Sequence, residues 1–142
     1  MARYETIRIE TDARGVATLT LDRPDKHNAL SAQMIAELTE AGNALAADPA
    51  ARVVVLRSEG PTFCAGGDLN WMRQQMEKDR AGKMEGSRAL ADMLATLNGL
   101  PKPLIARVQG NAFGGGVGML LGLVVWLVFQ AAFLGALSTE SI

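Results

Sequence analysis

The stretch Phe63-Cys64-Ala65-Gly66-Gly67-Asp68-Leu69 decides how this chain folds. Together with Gly60-Pro61 before it, the segment is too rich in Gly and Pro for regular structure and reads as a loop. Upstream, Val53-Val54-Val55-Leu56 is a β-branched run with charges only at its borders, the pattern of a strand buried on both faces in the middle of a sheet. Downstream, Asp68 is placed to cap a helix. A strand-to-helix turn leaves the first helical N–H groups without internal partners and puts the positive end of the helix dipole behind them. Such groups can hold a negative oxygen, and glycine lets the backbone approach a ligand closely.

A second loop repeats the arrangement. Pro101-Lys102-Pro103 stiffens the entry to a strand over Leu104 to Val108, and Gly110-Asn111-Ala112-Phe113-Gly114-Gly115-Gly116-Val117-Gly118 then leads into an apolar segment. Taken singly, Gly66-Gly67 is an ordinary loop turn, and Gly114 to Gly116 is close packing of a helix start against a sheet. A dinucleotide fingerprint is not completed, because Met119 stands where its third glycine belongs, and no Walker loop is present.

Outward from these loops, Thr6 to Glu10 and Val16 to Leu21 flank Asp12-Ala13-Arg14-Gly15 and read as a hairpin. Ser31 can cap a helix whose apolar positions Met34, Ile35, Leu38, Ala41 and Leu45 recur at helical spacing, and Asp48-Pro49 ends it. Met72 to Asp79 and Ser87 to Leu97 read as polar-faced helices broken at Gly82, Gly86 and Gly99. The expected order is ββαβααβα, an α/β layer architecture with crossover connections and no short repeat.

With 142 residues, one domain is the default. The 14 Lys and Arg against 15 Asp and Glu give a net charge of -1 without a basic stripe, which argues against nucleic acid as a partner. The single cysteine, Cys64, can form neither an internal disulfide nor a multi-thiolate metal site, so a reducing, cytoplasmic setting is expected. Charges at Arg3, Glu5, Arg8 and Glu10 interrupt any signal-peptide pattern. From Met119 to Leu137 the only polar side chain is Gln130, and the stretch approaches the roughly 18 to 20 apolar residues that span a bilayer.

Together the two glycine loops resemble the signature loops of the crotonase (enoyl-CoA hydratase/isomerase) family. Leu21-Asp22-Arg23-Pro24, Asn28-Ala29-Leu30 and Leu100-Pro101-Lys102-Pro103-Leu104-Ile105-Ala106 follow the same family's pattern in order and spacing, over about Thr6 to Met119. The resemblance implies a crotonase-like ββα spiral core over residues 1–118. It implies an acyl-CoA thioester as ligand, with CoA a part of the substrate and neither separate cofactor nor metal. It also implies that the backbone N–H groups of Gly67 and Gly115 form an oxyanion hole, with Gly66 and Gly114 beside them. Lys26, Asn28, Ala29, Ala65, Gly67 and Leu69 would lie near the nucleotide and pantetheine, and Arg23 or Lys26 could meet a phosphate. Hydration of an α,β-unsaturated thioester, shift of its double bond and attack at its carbonyl all push charge onto the thioester oxygen. Loss of one preorganised donor to that oxygen typically costs about 3 to 4 kcal/mol in other enzymes.

Asp68 reads as a helix cap in preference to an acid/base group, and Cys64 as a small buried side chain. His27 reads as a loop residue, and Trp71 either lines an acyl pocket or simply packs. Hydratases of the family commonly place a glutamate three residues after the middle glycine, and that position here is Gly118. Residues 119–142 do not match the family. They are expected to form an apolar helix and tail, either the buried central helix of a truncated or frameshifted product or a membrane anchor. The resemblance also implies trimers or hexamers built by a carboxyl-terminal part that this chain is expected to lack. The first expectation is an enoyl-CoA hydratase of short, branched or carboxylated acyl-CoA, with this chain itself inactive. The second is a non-catalytic acyl-CoA binder or membrane-tethered remnant, and isomerase, dehalogenase and thioester hydrolase share the same loops.

Overall fold

The computed structural model of the protein describes residues 3–120. Strands β1 (Ile7–Thr11), β2 (Val16–Leu21), β3 (Val53–Ser58) and β4 (Leu104–Ala106) form one sheet in the order β1-β2-β3-β4. The hairpin β1-β2 is antiparallel with Ile9 opposite Leu19. The β2-β3 and β3-β4 pairs are parallel, with Leu19 opposite Leu56 and Val55 opposite Ile105. Parallel neighbours need crossovers. Helix α1 (Ala32–Ala47) supplies the first, and α2 (Leu69–Glu77) with α3 (Arg80–Asn98) supplies the second. The fold is mixed α/β, in the element order expected from the sequence. A further helix begins at residue 115 and is described as far as residue 120.

The helical stripe of α1 explains its placement. Met34, Ile35, Leu38, Ala41 and Leu45 are buried, and they join Ala17, Leu19, Leu21, Val54 and Leu56 from the sheet in the core. Ser31 caps the helix by accepting the Met34 N–H at 3.2 Å. At the other end Lys102 donates to the carbonyls of Leu45 and Asp48, a cation on the negative end of the dipole that also anchors the approach to β4.

Three expectations are corrected. β3 alternates, with Val54, Leu56 and Ser58 buried and Val53, Val55 and Arg57 half-covered, so it is central to the sheet but not buried on both faces. β4 stops at Ala106 instead of Val108. Gly82 and Gly86 do not break a helix: α3 is continuous through both, because Asp79 caps it at the Gly82 N–H and Met93 and Leu97 bury against α1. Packing outweighs the roughly 1 kcal/mol that each mid-helix glycine costs. Gly86 lies where Gln75 of α2 reaches α3: a β-carbon there would fall 1.9 Å from Gln75 Oε1, so a larger residue would displace the end of that side chain.

Among the described residues no helix is long and apolar enough to cross a membrane. The apolar helix expected over residues 119–137 lies, beyond residue 120, outside the described residues.

Candidate functional site

The two glycine loops run side by side and in parallel. Gly110 lies so close to Pro61 that a β-carbon on it would come 2.0 Å from the Pro61 carbonyl oxygen. Phe63 and Cys64 both donate their N–H groups to Asn111 O, at 3.0 and 3.2 Å, and Phe113 donates to Cys64 O at 2.9 Å. These bonds make a parallel bridge between Cys64 and Ala112. Two residues further along each loop, Gly66 and Gly114 meet: a β-carbon on Gly66 would lie 3.1 Å from Phe113 O, and one on Gly114 would lie 3.6 Å from the Gly66 Cα. Both glycines sit at positive φ, +91° and +50°. Gly67 and Gly115 are the residues that follow; the side chains of Met72 and Trp71 lie nearest Gly67, and those of Leu30 and Leu90 nearest Gly115.

Leu30 fixes the direction of the Gly67 amide. The Leu30 N–H donates to Gly66 O at 2.7 Å, and Asp68 donates its N–H to Leu30 O at 3.0 Å, forming a parallel bridge between Leu30 and Gly67. In such a bridge the Gly66 carbonyl and the Asp68 N–H face Leu30, so the N–H of Gly67 itself turns away from Leu30. Neither Gly67 nor Gly115 donates its N–H to another described residue. The Leu30 side chain, fully buried, also supports Gly115, where a β-carbon would come 2.5 Å from Leu30 Cδ1.

Asp68 closes the first loop onto α2. Its Oδ1 accepts the Trp71 N–H at 3.0 Å, the helix cap expected from the sequence. Its Oδ2 lies 3.4 Å from Arg23 Nη2, with both side chains mostly covered. Burial works to raise the Asp68 pKa, but the hydrogen bonds from Trp71, Arg23 and Asn70 and the guanidinium charge together hold it below the ordinary carboxylate range. Cys64 is inert by contrast: burial pushes its thiol pKa up, only partly offset by the Gly66 N–H. Its side chain packs on Gly116, where a β-carbon would be 3.1 Å from Sγ.

The residues expected near CoA separate into two groups. Lys26, Ala65 and Leu69 are exposed, and Ala29 is nearly covered. The Ala65 N–H donates to His27 O at 3.0 Å, so residues 26–29 and 62–66 do lie together. Asn28 and Arg23 turn inward. Asn28 is fully buried; its Oδ1 accepts the Arg23 N–H, and its Nδ2 donates to the carbonyls of Glu59 and Thr62. Arg23 Nη1 donates to Ala29 O at 2.7 Å, so the guanidinium joins Ala29 to Asp68 instead of standing free at the surface.

Sequence reading missed Leu90 and Leu94 of α3. A β-carbon on Gly115 would lie 3.7 Å from Leu90 Cδ1, and one on Gly118 3.2 Å from Leu94 Cδ1. Their helical spacing toward the glycine run was the available signal. A groove among α1, α2 and α3 is lined by Ile35, Trp71, Gln75 and Ala89, and it starts beside the first loop, since Trp71 also flanks Gly67. Among the described residues no cluster of three or more His, Cys, Asp or Glu could hold a metal ion.

Comparison with known proteins identifies the family. The family described as enoyl-CoA hydratase/isomerase matches residues 11–132, past the Met119 limit of the resemblance read from the sequence. Relatives include the mitochondrial methylglutaconyl-CoA hydratase of Homo sapiens, 34% identical over 134 residues that make up 93% of this chain and 38% of that protein. The 4-chlorobenzoyl coenzyme A dehalogenase-2 of an Arthrobacter species is 39% identical over 111 residues, 75% of this chain and 39% of that protein. A solved enoyl-CoA hydratase from Shewanella pealeana superposes with a TM-score of 0.82 at 35% identity, covering 84% of this chain and 45% of that one. The chain thus spans less than half the length of these three proteins. With the family match extending over most of its sequence, the chain belongs to the enoyl-CoA hydratase/isomerase family.

Proposed function

We propose that this chain carries the carbonyl-polarising half of an acyl-CoA site, in which the N–H groups of Gly67 and Gly115 together hold the thioester oxygen. The supporting observation is the parallel register of the two glycine loops, in contact at Gly66 and Gly114, with the following amides free of acceptors among the described residues. Two donors converging on one oxygen favour the state in which that oxygen is negative, which is the state shared by hydration, isomerisation and acyl-transfer chemistry. Lys26 is exposed, in the segment that bonds to Ala65 through His27 O, and is suited to a phosphate of the nucleotide; the groove beginning at Trp71 is suited to the acyl group.

Hydration of an α,β-unsaturated acyl-CoA is the reaction proposed for the whole protein to which this segment contributes. For the 142-residue chain itself, binding and polarisation without turnover is the better reading. Among the described residues, Leu94 methyls and not a carboxylate are nearest the Gly118 position, and Asp68 is engaged with Trp71 and Arg23. The test is calorimetric titration with crotonyl-CoA and free CoA, beside the loss of absorbance of the conjugated thioester. Tighter binding of the thioester with no loss of absorbance supports the reading. Equal affinity for CoA and crotonyl-CoA contradicts it, because a site that holds the carbonyl must prefer the ligand that has one.

A further inference from the structure

We infer that Arg23 is a positioning residue for the Gly67 amide, acting through Asp68, and not a contact for a phosphate of the ligand. The inference rests on the proposed role of Gly67 as a carbonyl donor and adds the element that aims it.

Gly67 is held by its two neighbours. The Gly66 carbonyl and the Asp68 N–H are both gripped by the backbone of Leu30, so the direction of the Gly67 N–H depends on how firmly the Leu30 segment and the start of α2 stay in register. One guanidinium spans those two segments. Nη1 donates to Ala29 O, the residue before Leu30, at 2.7 Å, and Nη2 reaches Asp68 Oδ2, the residue after Gly67, at 3.4 Å. The contact therefore runs parallel to the Leu30–Gly67 bridge and closes a ring around it. A planar, rigid fork suits that task better than a flexible ammonium, which is a point charge on a long stem. Side-chain exposures of 20% for Arg23 and 12% for Asp68 mean that water competes weakly, unlike at an open surface pair.

The Arg23 backbone is fixed as well. Its N–H donates to Asn28 Oδ1 at 2.8 Å, and the Asn28 N–H donates to Arg23 O at 2.9 Å, so the guanidinium extends from an immobilised base. The flexible point in the ring is Gly66 at φ +91°, about which the following peptide can rotate. Without the clamp, the Gly67 N–H keeps its place in the chain but loses its aim.

Asp68 divides its two oxygens between two tasks, and this makes the inference testable. Asparagine caps helices as well as aspartate does, so Asp68→Asn keeps the Trp71 cap while removing the charge that faces Arg23. Arg23→Lys removes the fork from the other side. The experiment records the infrared C=O stretch of crotonyl-CoA labelled with carbon-13 at the thioester carbonyl, bound to the wild-type chain and to each variant, with dissociation constants measured in parallel. The wild type is expected to lower the stretching frequency, and each variant to lose more than about half of that shift with its affinity for free CoA unchanged. A full shift retained in both variants overturns the clamp and leaves Gly67 as the donor. A full shift combined with weakened affinity for free CoA makes Arg23 a ligand contact and also overturns it. No shift in the wild type overturns the reading of Gly67 itself and the clamp with it. Should Asp68→Asn not fold, Arg23→Lys gives the same readout from the other partner.

Discussion

Gly66 and Gly114 lie in contact, each at positive φ, so that a β-carbon added to Gly114 would stand 3.6 Å from the Gly66 Cα. Two segments far apart in sequence are thereby joined where neither carries a side chain. The residue that follows each glycine is the one whose amide is proposed to hold the thioester oxygen. Left-handed backbone is demanded at both positions and close approach at Gly66, where a β-carbon would lie 3.1 Å from Phe113 O; glycine meets both demands.

Substituting either glycine by alanine therefore separates two costs. Gly66→Ala meets a strained φ of +91° and a β-carbon 3.1 Å from Phe113 O, whereas Gly114→Ala meets only the strain of φ +50° and an ordinary contact. The expected losses are about 2 to 3 kcal/mol for Gly66→Ala and about 1 kcal/mol for Gly114→Ala. Urea unfolding followed by circular dichroism measures both. Equal midpoints for the two variants would show that the loops are not packed as described.

Asp68 gives the stability a defined pH dependence. Its pKa in the folded chain lies below its ordinary value of 3.8, so the unfolded chain takes up the proton first as pH falls. The stabilisation is fully present above pH 3.8 and is lost as pH drops through the folded pKa. The gap in stability between the wild type and Asp68→Asn should thus narrow as pH is lowered through this acid range. Urea midpoints for both proteins across the range test it, and a gap that stays constant would mean that the carboxylate gains nothing from Trp71 and Arg23.

Gly118 stands where a glutamate is common in hydratases that the sequence resembles, and Leu94 fills the adjoining space. A β-carbon at 118 would be 3.2 and 3.3 Å from the two Leu94 methyls, tight contacts against the end of a movable side chain. Gly118→Glu should destabilise the chain by about 1 to 2 kcal/mol, and Leu94→Ala in the same chain should remove much of that increment. A double-mutant cycle in thermal unfolding reads the coupling. Additive effects would place Leu94 away from Gly118.

Much of this architecture was legible in the sequence where local rules decide. Ser31 caps α1, Asp68 caps α2, and the apolar stripe of α1 is the buried one, because capping and helical periodicity act over a few neighbouring residues. Gly82 and Gly86 misled for the opposite reason: their cost is local, but the burial of Met93 and Leu97 and the approach of Gln75 that outweigh it come from other elements. Arg23 shows the same limit at the site. The sequence reads Arg23 or Lys26 as meeting a phosphate, and only the fold reveals that Ala29 O and Asp68 lie within reach of Arg23, the observation behind the positioning role proposed for it. Gly67 and Gly115 came from resemblance to a family; their relation in space needed the Cys64–Ala112 and Leu30–Gly67 bridges, which no single stretch of sequence contains.

The convergence of the Gly67 and Gly115 amides on one ligand oxygen is tested most directly by amide proton and nitrogen chemical shifts of the nitrogen-15-labelled chain during titration. Addition of crotonyl-CoA should move both resonances downfield together, and addition of free CoA should leave both in place. Movement of neither amide, or of only one, with the thioester would contradict the account.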